Sequence, residues 1–113
     1  MFFKPSAQAD AIVGRAVRTS ASFGAELWAR MARWDAAMVD TALDAVRGRI
    51  LAIQSTTRNA QLQRAPMKPG DTSPYLELLK SYGAKIEIVP DTGHFTQLEA
   101  PRRVNRLIEE FCR

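Results

Sequence analysis

The chain has 113 residues, of which 46% are hydrophobic and 25% charged, enough for one folded domain and too apolar for a disordered one. No apolar run approaches the ~20 residues of a membrane span, so no membrane partner is expected. The net charge of +4 comes from basic residues scattered among acids, without a run or an aromatic-interleaved stripe, which argues against nucleic acid as a partner.

The start, Met1-Phe2-Phe3-Lys4-Pro5, has no charged segment leading into a long apolar stretch and does not read as a secretory signal. Cys112 is the one cysteine, so no intrachain disulfide can form; the expected compartment is cytoplasmic. Cys112 itself reads as a half-buried small hydrophobe.

A first helix is expected over residues 7–18, capped by Ser6 after Pro5, with Ile12, Val13, Ala16 and Val17 as its apolar stripe. Thr19-Ser20-Ala21-Ser22 interrupts it. A second helix carries Phe23, Leu27, Met31 and Trp34 on one face, with Trp28 beside them. Asp35 is expected to cap a third, whose face is Met38, Val39, Ala42, Leu43 and Val46, and which Gly48 ends. Trp28, Met31 and Trp34 read first as core and second as the lining of a substrate cavity.

From residue 49 the texture changes. Residues 50–54 (ILAIQ) form an unbroken apolar run and read as a buried strand. A long polar loop is expected over residues 55–72. Ser73-Pro74 supplies a capping hydroxyl and then a proline at the first helical position; Leu76, Leu78 and Leu79 give that helix its buried side, and Gly83 closes it. Residues 85–89 (KIEIV) form the second strand. Pro90-Asp91-Thr92-Gly93-His94 makes a tight loop, and Glu99-Ala100-Pro101 opens a last helix with Val104, Leu107, Ile108 and Phe111 facing inward.

The fold class is therefore α/β: a helical N-terminal half, residues 1–48, followed by a parallel strand-helix-strand-helix unit, residues 49–113, within a single domain. A strand, a long crossover and a second strand imply parallel neighbours. Sites in such sheets lie beyond the carboxyl ends of the strands, which puts residues 55–59 and 91–95 on the same edge.

His94 is the one histidine, in a loop off the end of a strand, where an imidazole can exchange protons near neutral pH. On position alone a catalytic role and a plain surface role stand level. With one histidine and one cysteine, no metal site is expected.

The string Ile88-Val89-Pro90-Asp91-Thr92-Gly93-His94-Phe95-Thr96-Gln97-Leu98-Glu99-Ala100-Pro101, followed by Val104-Asn105 and residues 108–111, closely resembles the C-terminal histidine motif of the α/β-hydrolases. There the last strand ends in a Gly-His pair, and a Glu-x-Pro start opens the last helix. Residues 49–54 resemble the preceding strand, and residues 19–48 resemble the end of the helical cap and the helix that returns to the sheet. The resemblance implies a partial α/β-hydrolase fold. It also implies that His94 is the general base which takes a proton from a serine nucleophile and returns it to the leaving group. The implied ancestral activity is hydrolysis of a carboxylic ester or a similar small acyl substrate through an acyl-enzyme, without a cofactor.

Two elements of that pattern are missing. The nucleophile elbow G-x-S-x-G occurs nowhere in the sequence. In the family's order it precedes the cap, which implies a place upstream of Met1 and a chain that is a fragment or the product of a truncated or split gene, inactive alone. The family's aspartate after the penultimate strand is also missing, since the turn reads Ser55-Thr56-Thr57-Arg58-Asn59. Asp35 and Asp71 are the candidates within the chain, with a helix cap and a turn as their plainer roles; an upstream acid is the third. Ser55 and Ser73 lie on no strained turn and are poor nucleophiles. The rival readings are a non-catalytic interaction module or remnant, and a piece of an acyltransferase on the same scaffold. Sheet edges and helix faces left without neighbours predict self-association or pairing with a complementing N-terminal hydrolase fragment.

Overall fold

Three serines set the helix starts. The computed structural model describes residues 2–61 and 63–113. Ser6 accepts from the Ala9 N–H and opens α1, Ala7–Arg18; Ser20 accepts from the Phe23 N–H and opens α2, Ala21–Ala45. Each hydroxyl satisfies one of the orphan donors of a first helical turn. The expected break between Asp35 and the preceding helix does not occur. Nothing between Ala21 and Ala45 can end a helix, since the stretch has no proline and a single glycine, Gly24. Asp35 therefore sits inside α2, where it caps nothing.

The chain divides into two compact units, Ser6–Val46 and Arg47–Arg113, the latter including Met1–Pro5. The first consists of α1 and α2, and its one buried residue is Ala9. Trp28, Met31 and Trp34 are exposed, at 66%, 47% and 52%, and so form neither the expected core nor a cavity lining. Two helices with one stripe each supply no second layer to cover them.

The second unit is mixed α/β. Strand β1, Leu51–Gln54, is followed by β2, Thr56–Arg58, and β3, Arg64–Pro66, then by α3, Pro74–Ser81. Strand β4, Lys85–Ile88, precedes a single-turn α4, Thr96–Glu99, and α5, Pro101–Phe111. β1 and β4 are parallel, with Leu51 opposite Lys85 and Gln54 opposite Ile88. The Lys85 N–H donates to the Ile50 carbonyl, and the Val89 N–H to the Gln54 carbonyl, each at 2.9 Å. Among the described residues this sheet has two strands, so each has one unpaired edge. The expected burial of β1 is only half met: all four of its residues are half-buried.

The polar stretch 55–72 is not wholly a loop, because β2 and β3 form an antiparallel hairpin within it. Thr56-Thr57 favours a strand, and Asn59 makes the turn. Asn59 Oδ1 accepts from the backbone of Gln61 and Gln63, and its own N–H donates to the Gln63 carbonyl.

Ser73 caps α3 as expected, accepting from the Leu76 N–H. Leu76 and Leu79 are buried, with Met67, Val89, Val104 and Leu107 completing the core. α3 packs on β4 and α5 on β1. The turn that closes α3 needs glycine. Gly83 has φ +77°, and a Cβ there would lie 3.2 Å from the Cα of Gly48. Ile108, expected inside, and Cys112, expected half-buried, are exposed, because α5 covers the core with Val104 and Leu107 alone while Phe111 is half-buried. No helix among the described residues is long and apolar enough to cross a membrane.

Candidate functional site

The carboxyl ends of β1 and β4 bring two loops together. After β4 the chain passes through buried Val89 to Asp91, whose φ of 60° lies in the left-handed region that a short polar side chain tolerates. Thr92 tightens the turn by donating to the Val89 carbonyl. The result is a buried Gly93 followed by an exposed His94 at the rim.

Ser55, directly after β1, is 2% exposed and ties the two loops. Its hydroxyl donates to the Gly93 carbonyl at 2.6 Å. With that proton committed, its oxygen accepts from the Thr96 hydroxyl at 3.1 Å. The sequence places residues 55–59 and 91–95 on one edge, and Ser55 and Gly93 do meet there. The same bonds rule against Ser55 as a nucleophile, since its proton points to a backbone carbonyl and not to an imidazole.

Glu99 holds the loop from the other side. Its Oε1 accepts from the Gly93 N–H at 3.2 Å and from the Phe3 N–H at 3.0 Å. Glu99 Oε2 is buried without a partner among the described residues. Phe95 stacks on Phe2 with centroids 4.8 Å apart and meets the His94 ring edge-on at 5.0 Å.

The imidazole has one hydrogen-bond partner among the described residues, and it is a cation. Arg64 Nη1, on the hairpin, lies 3.1 Å from His94 Nδ1 and 2.9 Å from Thr56 Oγ1. A guanidinium can only donate, so Nδ1 must accept and the proton of the neutral ring sits on Nε2. Partial desolvation of the rim imidazole, and after it the positive charge of Arg64, hold the His94 pKa below its ordinary value of 6.5.

This is the reverse of a catalytic triad. There a carboxylate accepts a hydrogen bond from Nδ1–H and leaves Nε2 free to act as base; here Nε2 is the donor. Of the two internal acid candidates, only Asp71 belongs to the same unit as His94. Asp35 lies within α2. Asp71 closes a turn, its Oδ2 accepting from the Lys68 N–H at 2.7 Å. Arg64 is the site residue that sequence reasoning missed, because its contact depends on the unanticipated hairpin; the signal for that hairpin was Thr-Thr-Arg-Asn.

A pocket of about 290 Å³ opens beside the imidazole, lined by Ile53, Gln54, Ser55, Thr56, Arg64, Tyr75, His94 and Thr96. A larger depression of about 420 Å³ lies between α3 and β4 and contains no histidine. The smaller one is the candidate site, because perturbed and convergent polar groups mark a site better than volume does. No protein-family model, curated protein or solved structure matches the chain.

Proposed function

We propose that this chain is the histidine-bearing end of an α/β-hydrolase fold, in which His94 descends from the general base of ester hydrolysis. The observation that carries the reading is the position of His94. It stands in a tight loop directly off the carboxyl end of β4 and is tied through Gly93 and Ser55 to the loop leaving β1. A half-buried parallel pair with two open edges agrees with strands made for a larger sheet. The substrate in the intact enzyme is a small carboxylic ester or related acyl compound. Serine attack would give an acyl-enzyme, and water activated by the imidazole would hydrolyse it.

Alone, the chain lacks an elbow serine, and Arg64 holds His94 in the tautomer that cannot accept at Nε2. It should therefore hydrolyse an activated short-chain ester no faster than its His94→Ala variant. Turnover well above background that disappears in the variant would reveal an unrecognised nucleophile. The family reading is tested by the coding sequence upstream of Met1. An in-frame Gly-x-Ser-x-Gly is expected there, with an upstream acid that displaces Arg64 from Nδ1, and the joined chain should hydrolyse esters and lose that activity in His94→Ala. An upstream sequence without an elbow would overturn the reading.

A second reading, a non-catalytic interaction module, is favoured by α2. Leu27, Met31, Trp34 and Met38 recur at steps of four, three and four, and all are 45–52% exposed. That is the spacing of a coiled-coil seam, and it fits a second copy of the same helix as partner.

A further inference from the structure

We propose that the pocket beside His94 binds a small oxyanion, a carboxylate or phosphate group, with Arg64 as its main anchor. The guanidinium is always charged, yet its two partners, Thr56 Oγ1 and His94 Nδ1, are neutral acceptors. Both bonds use Nη1. The Nε and Nη2 donors have no partner among the described residues, and no acidic side chain lines the pocket.

The surrounding groups favour the same kind of ligand. The hydroxyls of Ser55 and Thr96 are spent on each other and on the Gly93 carbonyl, so they offer a ligand little. His94 is fixed with its proton on Nε2 and is a donor. Tyr75, 60% exposed on the first turn of α3, also lines the pocket. The spare capacity is thus mainly donors around an unneutralised cation, in a concavity large enough for a small organic acid or a phosphate. Charge-assisted bonds from a planar fork are the strong and geometrically selective ones, and a concave site of one sign concentrates its counter-ion.

The inference does not rest on the hydrolase reading, because anion binding needs no nucleophile. The test is the ³¹P line width of inorganic phosphate titrated with the full chain at fixed ionic strength, a readout that tolerates self-association. Saturable broadening is expected, with acetate competing if a carboxylate fits the same fork. Arg64→Gln should weaken phosphate binding about 10- to 100-fold, the loss expected for one or two charge-assisted bonds. Should that variant lose its helical circular dichroism, Arg64→Lys, which keeps the charge but not the fork, replaces it and should bind several-fold more weakly. Broadening that does not saturate, or equal affinity in the folded Arg64 variant, would overturn the proposal. Failure here would leave the upstream elbow and its ester hydrolysis untouched, so the two readings fail separately.

Discussion

Residues 47–113 and residues 6–46 are both rich in large apolar side chains, and they treat them in opposite ways. In the first stretch Met67, Leu76, Leu79, Val89, Val104 and Leu107 are buried between helices and a sheet. In the second, Phe23, Leu27, Trp28, Met31, Trp34 and Met38 are 45–66% exposed, and only Ala9 is buried. The periodicity of the apolar residues is equally clear in both. Periodicity thus specifies that a face exists, while burial needs a second layer opposite that face. The βαβα region contains its own second layer, and the α1–α2 region does not.

The sharpest way to break this comparison is to truncate one leucine in each region. Leu76→Ala removes a side chain that is 1% exposed and should cost about 2–5 kcal/mol of unfolding free energy in urea. Leu27→Ala, at 47% exposure, should stay within about 0.5–1 kcal/mol at concentrations where the chain is monomeric. Comparable losses at the two positions would mean that the α2 stripe is covered in solution and that the contrast is false.

Association sharpens the comparison next. Burying each large side chain of the stripe is worth roughly 1.5–3 kcal/mol, so a second copy of α2 gains by covering it. The open edges of β1 and β4 add a further site for pairing. Sedimentation at micromolar concentration should show self-association, and the melting temperature should rise with concentration. Met31→Glu with Trp34→Glu should weaken association at least about 10-fold, equivalent to ~1.4 kcal/mol. A compact monomer with a sharp, concentration-independent melt would count against the interface and favour a self-sufficient module.

A smaller effect probes the tie between the two site loops. Ser55→Ala strips the Gly93 carbonyl of its 2.6 Å donor and the Thr96 hydroxyl of its acceptor, both in buried surroundings. The expected cost is about 1–3 kcal/mol, the penalty for leaving such groups unsatisfied. A change of a few tenths would show that water replaces the hydroxyl and that Ser55 does not hold the loops.

What was legible in the sequence follows the same division. Ser6 and Ser73-Pro74 mark helix starts because a cap acts on its own next three residues, and both act as caps here. The parallel pairing of β1 with β4 was readable from apolar runs and the length of the crossover. The placement of His94 off β4 was readable too, since Gly93 and the Pro90-Asp91 turn are local. Asp35 was misread as a cap because an aspartate after a tryptophan carries the same local signal whether or not the helix continues; continuity was decided by the absence of a breaker over Ala21–Ala45. The Arg64–His94 contact was out of reach, because it spans thirty positions and depends on a hairpin turned by Asn59. Nor could the exposure of Trp28 and Trp34 be read, because nothing in a helix's own sequence tells whether another layer faces it.

The smallest expected effect is a pH slope, and it tests the Arg64–His94 pair directly. Partial desolvation first, and Arg64 second, lower the folded pKa of His94 below 6.5, whereas in the unfolded chain it returns to about that value. Between the two values the unfolded chain binds more protons than the folded one, so stability rises with pH across that window. The contribution is fully present above pH 6.5 and is lost as pH falls through the folded value. Carboxylates titrate lower and would blur a single curve, so the quantity to measure is the difference between the chain and His94→Gln. Urea midpoints taken from pH 7.5 down to pH 5 should fall more steeply with acidification in the unaltered chain. Arg64→Gln should shrink that excess slope without abolishing it, because the larger cause, partial desolvation, remains. Parallel curves for the chain and His94→Gln would mean that the imidazole is no more neutral in the fold than outside it. The guanidinium could then not be bonded to Nδ1, and the tautomer that keeps His94 from acting as a base would have lost its support.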